Sequence, residues 1–328
     1  NYYKISGNRD NQETSVKKLK DLLQKSILKE NLNSYRVGSK LSGGLDSSSI
    51  SAILLRENKK IKLFSAIYSF LEKKDHQKVD EIEYINSFKN FFNISTELHV
   101  FDNHREVSPY LYDDEDDEPN FIPNRYFDLN LTKSISRKNI EKVYDGFDGD
   151  SVISYGKTYL YDLGRQFKIK QLLDQKKELE KNNFIKKTSN IRFILKHVLK
   201  PWLPSAFTKI KYLLMPTSNK IDSDCKVILK KDNPEYNLKK IKKNIGIKIE
   251  PYKTSQEIHK EVFEWPMWEL VLDHSFIDAA KFDVIECFPF LDKELMNLSL
   301  NINPKYIIGN GYTRLILREA MKDYLPKK

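Results

Sequence analysis

Cysteine is scarce in this chain: Cys225 and Cys287 are the only two among 328 residues. Two thiols cannot form a disulfide framework, and they suit a reducing, cytoplasmic location. Long apolar runs are missing too. No stretch of about 18 apolar residues occurs and no signal peptide opens the chain, so a membrane span is not expected. The six histidines show no paired metal-ligand spacing. His274, beside Asp273 on a helical stretch with Trp268 and Phe276, reads as a packed core residue. No internal repeat is visible.

What is present is length, charge and one dense motif. A chain of 328 residues can hold a large core or two domains. The net charge of +10 is uneven. Residues 1–164 carry 24 basic and 26 acidic side chains (−2), leaving 56 − 24 = 32 and 46 − 26 = 20 for residues 165–328 (+12). The lysines of the basic half come as doublets without interleaved aromatics, which describes a solvated face better than a nucleic-acid surface. A run of carboxylates at 113–118 is read as a solvated loop, since metal sites need acids that converge. The chain opens on Asn1 and keeps helical patterning almost to Lys328, as expected of a piece trimmed from something longer.

Lys40-Leu41-Ser42-Gly43-Gly44-Leu45-Asp46-Ser47-Ser48-Ser49 carries the most chemistry. An extended segment runs into Ser-Gly-Gly, and an apolar-periodic helix follows through Ile50, Ile53 and Leu54. Strand, glycine turn and helix bring backbone N–H groups and a positive helix end around one point, which suits a phosphate. Glycine lets the main chain approach the anion closely, and Asp46 adds a carboxylate able to hold Mg²⁺. No Gly-Lys-Ser/Thr follows, so this is not a Walker loop.

Periodicity places a helix before this motif (Val16 to Ile27) and strands at 35–41, 61–68, 95–101 and 141–144, with helices between them. The alternation predicts a doubly wound parallel α/β sheet. After Gly156 the pattern turns mainly helical, and 167–250 is the least readable stretch. The expected organisation is a helical lead-in (1–34), a parallel-sheet nucleotide core (35–156) and a helical region completing the same domain (157–328). Ligands of such sheets sit beyond the strand carboxyl ends. The fourth strand delivers Asp145-Gly146-Phe147-Asp148-Gly149-Asp150 to that edge, where acids on a glycine turn could anchor a second side of a metal-bound pyrophosphate.

The order SGGxDSS resembles the pyrophosphate loop of the ATP pyrophosphatase superfamily. With the 145–150 loop, Phe288-Pro289-Phe290-Leu291-Asp292 and the Gly311-Tyr312-Thr313-Arg314 to Ala320 helix, the chain resembles the synthetase domain of asparagine synthetases. The resemblance implies ATP and Mg²⁺ as cofactors. It places Leu41, Ser42, Gly43, Gly44, Asp46, Ser47, Ser48, Tyr68, Gly146, Phe147 and Gly149 around the nucleotide. It assigns Asp46 and Asp150 to the metal, and gives Arg314 and Asp148 catalytic roles. Ser69 follows Tyr68 on the adenine side.

Departures qualify this. Phe147 stands where the family carries an acid, Asp148 replaces a glycine, Ser151 replaces a glutamate, Arg314 replaces lysine and Cys287 replaces an arginine. The wording of these elements is also similar to the divergent branch that includes lasso-peptide cyclases. The implied reaction is adenylation of a carboxylate, aspartate first, followed by amide formation with an amine. Peptide macrolactam closure is the alternative. A tRNA-modifying adenylating enzyme and a binding protein with a degenerate site are further rivals. Partners are a small-molecule or peptide carboxylate and a glutaminase domain outside this chain, with no nucleic acid and no membrane.

Overall fold

A computed structural model describes residues 3–6, 10–29, 35–57, 60–68, 81–101, 125–202 and 253–326. The acidic run at 113–118, Ser69 and Cys225 lie outside these residues.

Helix α1 (Gln12–Ile27) starts where the Asn11 side chain accepts a hydrogen bond from the Thr14 amide at 2.8 Å. That bond satisfies a donor the first turn would leave orphaned. Its buried face is Ser15, Leu19, Leu23 and Ile27, spaced by four. Then follow β1 (Val37–Lys40), α2 (Leu45–Glu57), β2 (Lys62–Tyr68), α3 (Ile82–Phe92), β3 (Glu97–Phe101), α4 (Arg125–Ser136), β4 (Lys142–Tyr144) and α5 (Gly149–Ile153).

With a fifth strand, β5 (Ile285–Cys287), the strands form one sheet in the order β3-β2-β1-β4-β5, each neighbouring pair parallel. From β1 the chain steps outward to β2 and β3, then returns past β1 to β4 and on to β5. Right-handed crossovers in opposite directions put successive helices on opposite faces, so the sheet is doubly wound as predicted. The reversal falls between β1 and β4, where ligands of open α/β sheets bind. Phe64, Leu131, Ile135, Ile140, Val143 and Val284 pack one face of the core, each such burial contributing about 1.5–3 kcal/mol.

The fifth strand, β5 (Ile285–Cys287), corrects the sequence reading, which ends strand formation at 144. Its three residues include Glu286 and run directly into Phe288-Pro289, so no alternation marks them. Register with β4 makes the strand: Lys142 faces Ile285 and Tyr144 faces Cys287.

The chain divides into two compact units. One holds residues 1–155, 263–309 and 313–328, and the other holds 156–262 with 310–312. Residues 263–309 and 313–328, which the sequence reading groups with the helical region, thus pack in the sheet-bearing unit, because β5 needs β4 as its partner.

The helical unit contains α6 (Tyr159–Arg165), α7 (Ile169–Lys181), α8 (Asn190–Ile194) with a π-helical turn at Leu195–Leu199, and nearly all of α9 (Ser255–Phe263). In it, the Asp162 carboxylate accepts hydrogen bonds from the Ser255 hydroxyl and amide and pairs with Arg165. His197 is 3% exposed, packed on the Tyr161 and Phe193 rings, with Nδ1 2.9 Å from the Phe193 carbonyl. Burial lowers its pKa to about 4, Lys196 and Lys200 adding to the effect against the Phe193 bond.

A base whose folded pKa is depressed stays neutral when folded, while the unfolded chain takes up a proton below about 6.5. Stability is therefore lost as pH falls from 6.5 toward 4. Thermal unfolding at pH 7 and pH 5 should show a loss of about 2 kcal/mol that His197→Gln lacks. Equal losses in both proteins would refute this assignment.

In the sheet unit the chain closes with α10 (Met267–Ala280), α11 (Lys293–Asn301) and α12 (Leu315–Met321). His274, at 6% exposure, is buried as the sequence suggests. No helix among the described residues is long and apolar enough to cross a membrane.

Candidate active site

The loop leaving β1 is ordered by its own hydroxyls. The Ser42 amide donates to Ser47 Oγ at 3.2 Å, the two hydroxyl oxygens lie 2.9 Å apart, and the Gly44 amide donates to Ser42 Oγ at 3.2 Å. Gly43 adopts φ +92°, which side-chain-bearing residues rarely reach. Leu41 is buried, its amide bonded to the Phe64 carbonyl at 2.7 Å, so it offers a wall rather than a polar group. Ser47 and Ser48 begin α2 as buried residues, with Asp46 in its first turn. Tyr68 ends the neighbouring β2, its ring stacked on Phe127 at 5.8 Å.

The loop leaving β4 packs directly onto that first turn. A Cβ on Gly146 would lie 2.5 Å from the Ser47 amide nitrogen, and one on Gly149 would lie 2.7 Å from Asp46 Cγ. Only glycine permits such an approach. Gly146→Ala must push the loops apart, an overpacking worth about 1–3 kcal/mol. A lowered Tm together with weaker binding of Mg·ATP is the expected result, and no change in either would contradict the close contact.

Asp148 sits at φ 55° as the residue before α5, a left-handed position that Asp tolerates better than most residues. Its carboxylate accepts from the Ser151 hydroxyl at 3.1 Å. Burial pushes it up to about 7 against that bond, with Asp150, Asp145 and Asp46 adding repulsion. Phe147 points elsewhere: its ring packs with Phe288 and Trp268, at 5.4 and 6.2 Å.

Arg314 arrives from the far end of the chain. It precedes α12 at φ 52°, and its Nη1 donates to Asp46 Oδ2. Nε is buried without a hydrogen-bond partner among the described residues. One edge of a planar fork is thus spent on Asp46 while another donor remains for an anion. Burial raises the Asp46 carboxyl to about 6, opposed by Arg314 and reinforced by Asp150. Asp150 directly follows Gly149, the residue packed against Asp46, so the second loop carries its carboxylate to the Asp46 side of the site.

A magnesium ion is the metal such a loop pair implies. Asp46 Oδ1 is buried with no hydrogen-bond partner among the described residues. No group of three or more His, Cys, Asp or Glu that could cage a metal occurs among them either. A buried, unpartnered carboxylate oxygen with a second carboxylate on the neighbouring loop suits Mg²⁺, which takes one or two carboxylates and completes its shell with phosphate oxygens and water. The residues fit.

Sequence reasoning missed two neighbours. The Tyr155 hydroxyl donates to Asp150 Oδ2 at 2.8 Å, and the Arg314 guanidinium lies 5.1 Å from the Tyr155 ring centre. Tyr155 is pushed up to about 12, by burial first and then by the Asp150 bond. Glu81, just before α3, meets the loop from the other side. A Cβ on Gly43 would lie 2.9 Å from its carbonyl oxygen, and its carboxyl is raised by burial against the pull of Arg314. Tyr155, five residues past Asp150 and beyond the end of α5, lies outside the i+3 and i+4 spacings that mark helical neighbours, and Glu81 carries no spacing signal either.

The family model described as asparagine synthase matches residues 18–328, nearly the whole chain. The chain belongs to the asparagine synthase family. Membership supports an ATP-dependent ligase as the activity class. No curated protein matches. Among solved structures, the U34-tRNA thiolase NcsA from Methanococcus maripaludis with its [4Fe-4S] cluster is similar over 86% of this chain and 82% of its own, at 14% identity and a TM-score of 0.34. In this family member, three stretches distant in sequence (42–48, 146–150 and 314) converge at the sheet's switch point.

Proposed function

We propose that this protein is an AMP-forming amide ligase. A substrate carboxylate attacks the α-phosphorus of ATP, pyrophosphate leaves, and an amine then displaces AMP from the acyl-adenylate to give an amide. The observation that carries this reading is the convergence of Asp46, the 146–150 loop and Arg314 at the switch point between β1 and β4.

Asp46 and Asp150 would hold Mg²⁺, which when bound neutralises charge on the leaving pyrophosphate. The backbone of 42–44 and the Ser47 and Ser48 hydroxyls bind phosphate oxygens. Arg314 donates to the charge that builds as the α–β bond breaks. Asp148, with a pKa near neutrality, is suited to hold or release a proton beside the reacting groups. Tyr155 keeps Asp150 oriented through its hydroxyl. A cytoplasmic setting and a glutaminase partner accompany this proposal.

Aspartate is the first carboxylate to test. A peptide carboxylate is the second reading, favoured by the apolar wall that Phe147 makes with Phe288, Trp268 and Phe276 where the family has an acid. ATP–pyrophosphate exchange measured with aspartate and with candidate peptides tests both. Exchange dependent on Mg²⁺ and on one carboxylate supports the ligase. Tight ATP binding without exchange for any carboxylate would instead favour a binding protein.

A further inference from the structure

Against the 145–150 loop lies a cavity of about 60 Å³ whose lining does not include Asp46, room for a small organic group rather than a single water. It opens at the carboxyl ends of β1, β4 and β5. Asp145 and Phe147 of the loop line it, whereas Gly146 and Gly149 of the same loop press on the start of α2. One six-residue loop thus separates the candidate nucleotide site from a second chamber.

The chamber's charges are mostly paired. Lys40 reaches Glu286 at 2.7 Å and Asp145 at 2.9 Å. Burial works against its ammonium, but Asp145, Glu286 and Asp128 outweigh it and hold its pKa well above the ordinary value. Arg125 grips Asp278 through two hydrogen bonds of 2.6 and 2.8 Å, and Lys281 meets Asp278 from the rim at 3.2 Å. The Ser275 hydroxyl donates to Glu286.

One carboxylate is left over. Asp128 accepts no hydrogen bond among the described residues, and its nearest cation is Lys40 Nζ at 3.8 Å, already shared by two closer acids. Among the described residues four carboxylates line the cavity against two cations, with Lys281 outside the lining. Water still reaches about half of the Asp128 side chain, 48% of whose surface is exposed. Crowding by protein atoms nonetheless raises its carboxyl to about 7, against Lys40 and with Asp145, Glu286 and Asp278 adding to the rise. A cation entering the cavity would relieve that repulsion. Leu129, Val271, Ala279, Phe147 and Phe288 complete the lining with apolar surface. That combination suits a small alkyl-bearing cation.

We propose that this cavity binds a primary ammonium group of the ligase substrates, held by Asp128 beside Phe147 and Phe288. The proposal rests on the ligase reading for the word substrate. The site itself does not. Two sources share this chemistry: the α-ammonium of an amino-acid carboxylate, and the amine that attacks the acyl-adenylate.

Methylammonium chloride serves as the probe, with tetramethylammonium chloride at equal ionic strength as the control. The full chain should show a saturable rise in Tm with methylammonium and none with the control. Asp128→Asn, nearly isosteric, should raise the half-saturating concentration at least ~10-fold. No saturable response, an equal response to tetramethylammonium, or an unaltered Asp128→Asn would overturn the site. These titrations need no ATP chemistry, so failure of ATP–pyrophosphate exchange would sink the ligase reading and leave their result standing. Where exchange occurs, the source follows from kinetics. A KM raised for the carboxylate in exchange assigns the α-ammonium, and a KM raised for the amine in amide formation assigns the nucleophile. Neither KM rising in Asp128→Asn would overturn the substrate role.

Discussion

Asp46→Asn and Asp150→Asn each reduce ATP–pyrophosphate exchange by at least ~10³-fold, the loss expected when electrostatic stabilisation of a leaving group is removed. Asparagine is the substitution to use at 46. Asp46→Ala would leave the Arg314 guanidinium with neither a charge partner nor an acceptor, at a cost of about 3–5 kcal/mol in stability that would confuse the readout, whereas the asparagine Oδ1 still accepts its hydrogen bond. Asp150 is the cleaner position, since its hydrogen-bond partner Tyr155 can turn its hydroxyl toward water. Asp150→Asn should melt close to the parent protein, and Asp46→Asn, which gives up the charge pair with Arg314, below it. Full exchange in both would contradict the metal assignment, whatever their stability.

Arg314→Ala lowers kcat for exchange by about 10²- to 10³-fold with a smaller change in KM for ATP. The split follows from where the guanidinium stands: paired to Asp46 on one side, with a buried Nε still free to donate. Its strongest interaction develops with the departing pyrophosphate. Arg314→Lys restores the charge but not the fork, so it should recover only part of the loss. A variant that raises KM alone would move Arg314 from catalysis to ground-state binding. Unchanged kinetics in Arg314→Ala would remove it from the site.

The parts of this site legible in the sequence are those written by local chemistry. Ser42-Gly43-Gly44 announces a close main-chain approach, and the structure explains each glycine of the second loop by a specific neighbour: Ser47 for Gly146 and Asp46 for Gly149. Asp148, unexpected where the family pattern has glycine, proves to occupy a left-handed backbone position that aspartate can adopt. Four of the five strands carried enough apolar patterning to be read directly.

What stayed hidden depends on long-range partners. β5 is a strand because β4 supplies its hydrogen bonds. The cavity draws Lys40 from β1, Arg125 and Asp128 from α4, Asp145 from the β4 loop, Ser275 and Asp278 from α10 and Glu286 from β5. No spacing in a linear sequence marks such a gathering of separate elements. Tyr155 and Glu81 become neighbours of Arg314 and the first loop only once the sheet has formed.

Calorimetric titration with α,β-methylene ATP, with and without Mg²⁺, tests the central claim most directly. The account predicts Mg²⁺-dependent binding by the parent protein, weakened at least ~10-fold in the Asp46→Asn, Asp150→Asn double variant. Binding of equal strength in both proteins, or binding indifferent to Mg²⁺, would contradict it.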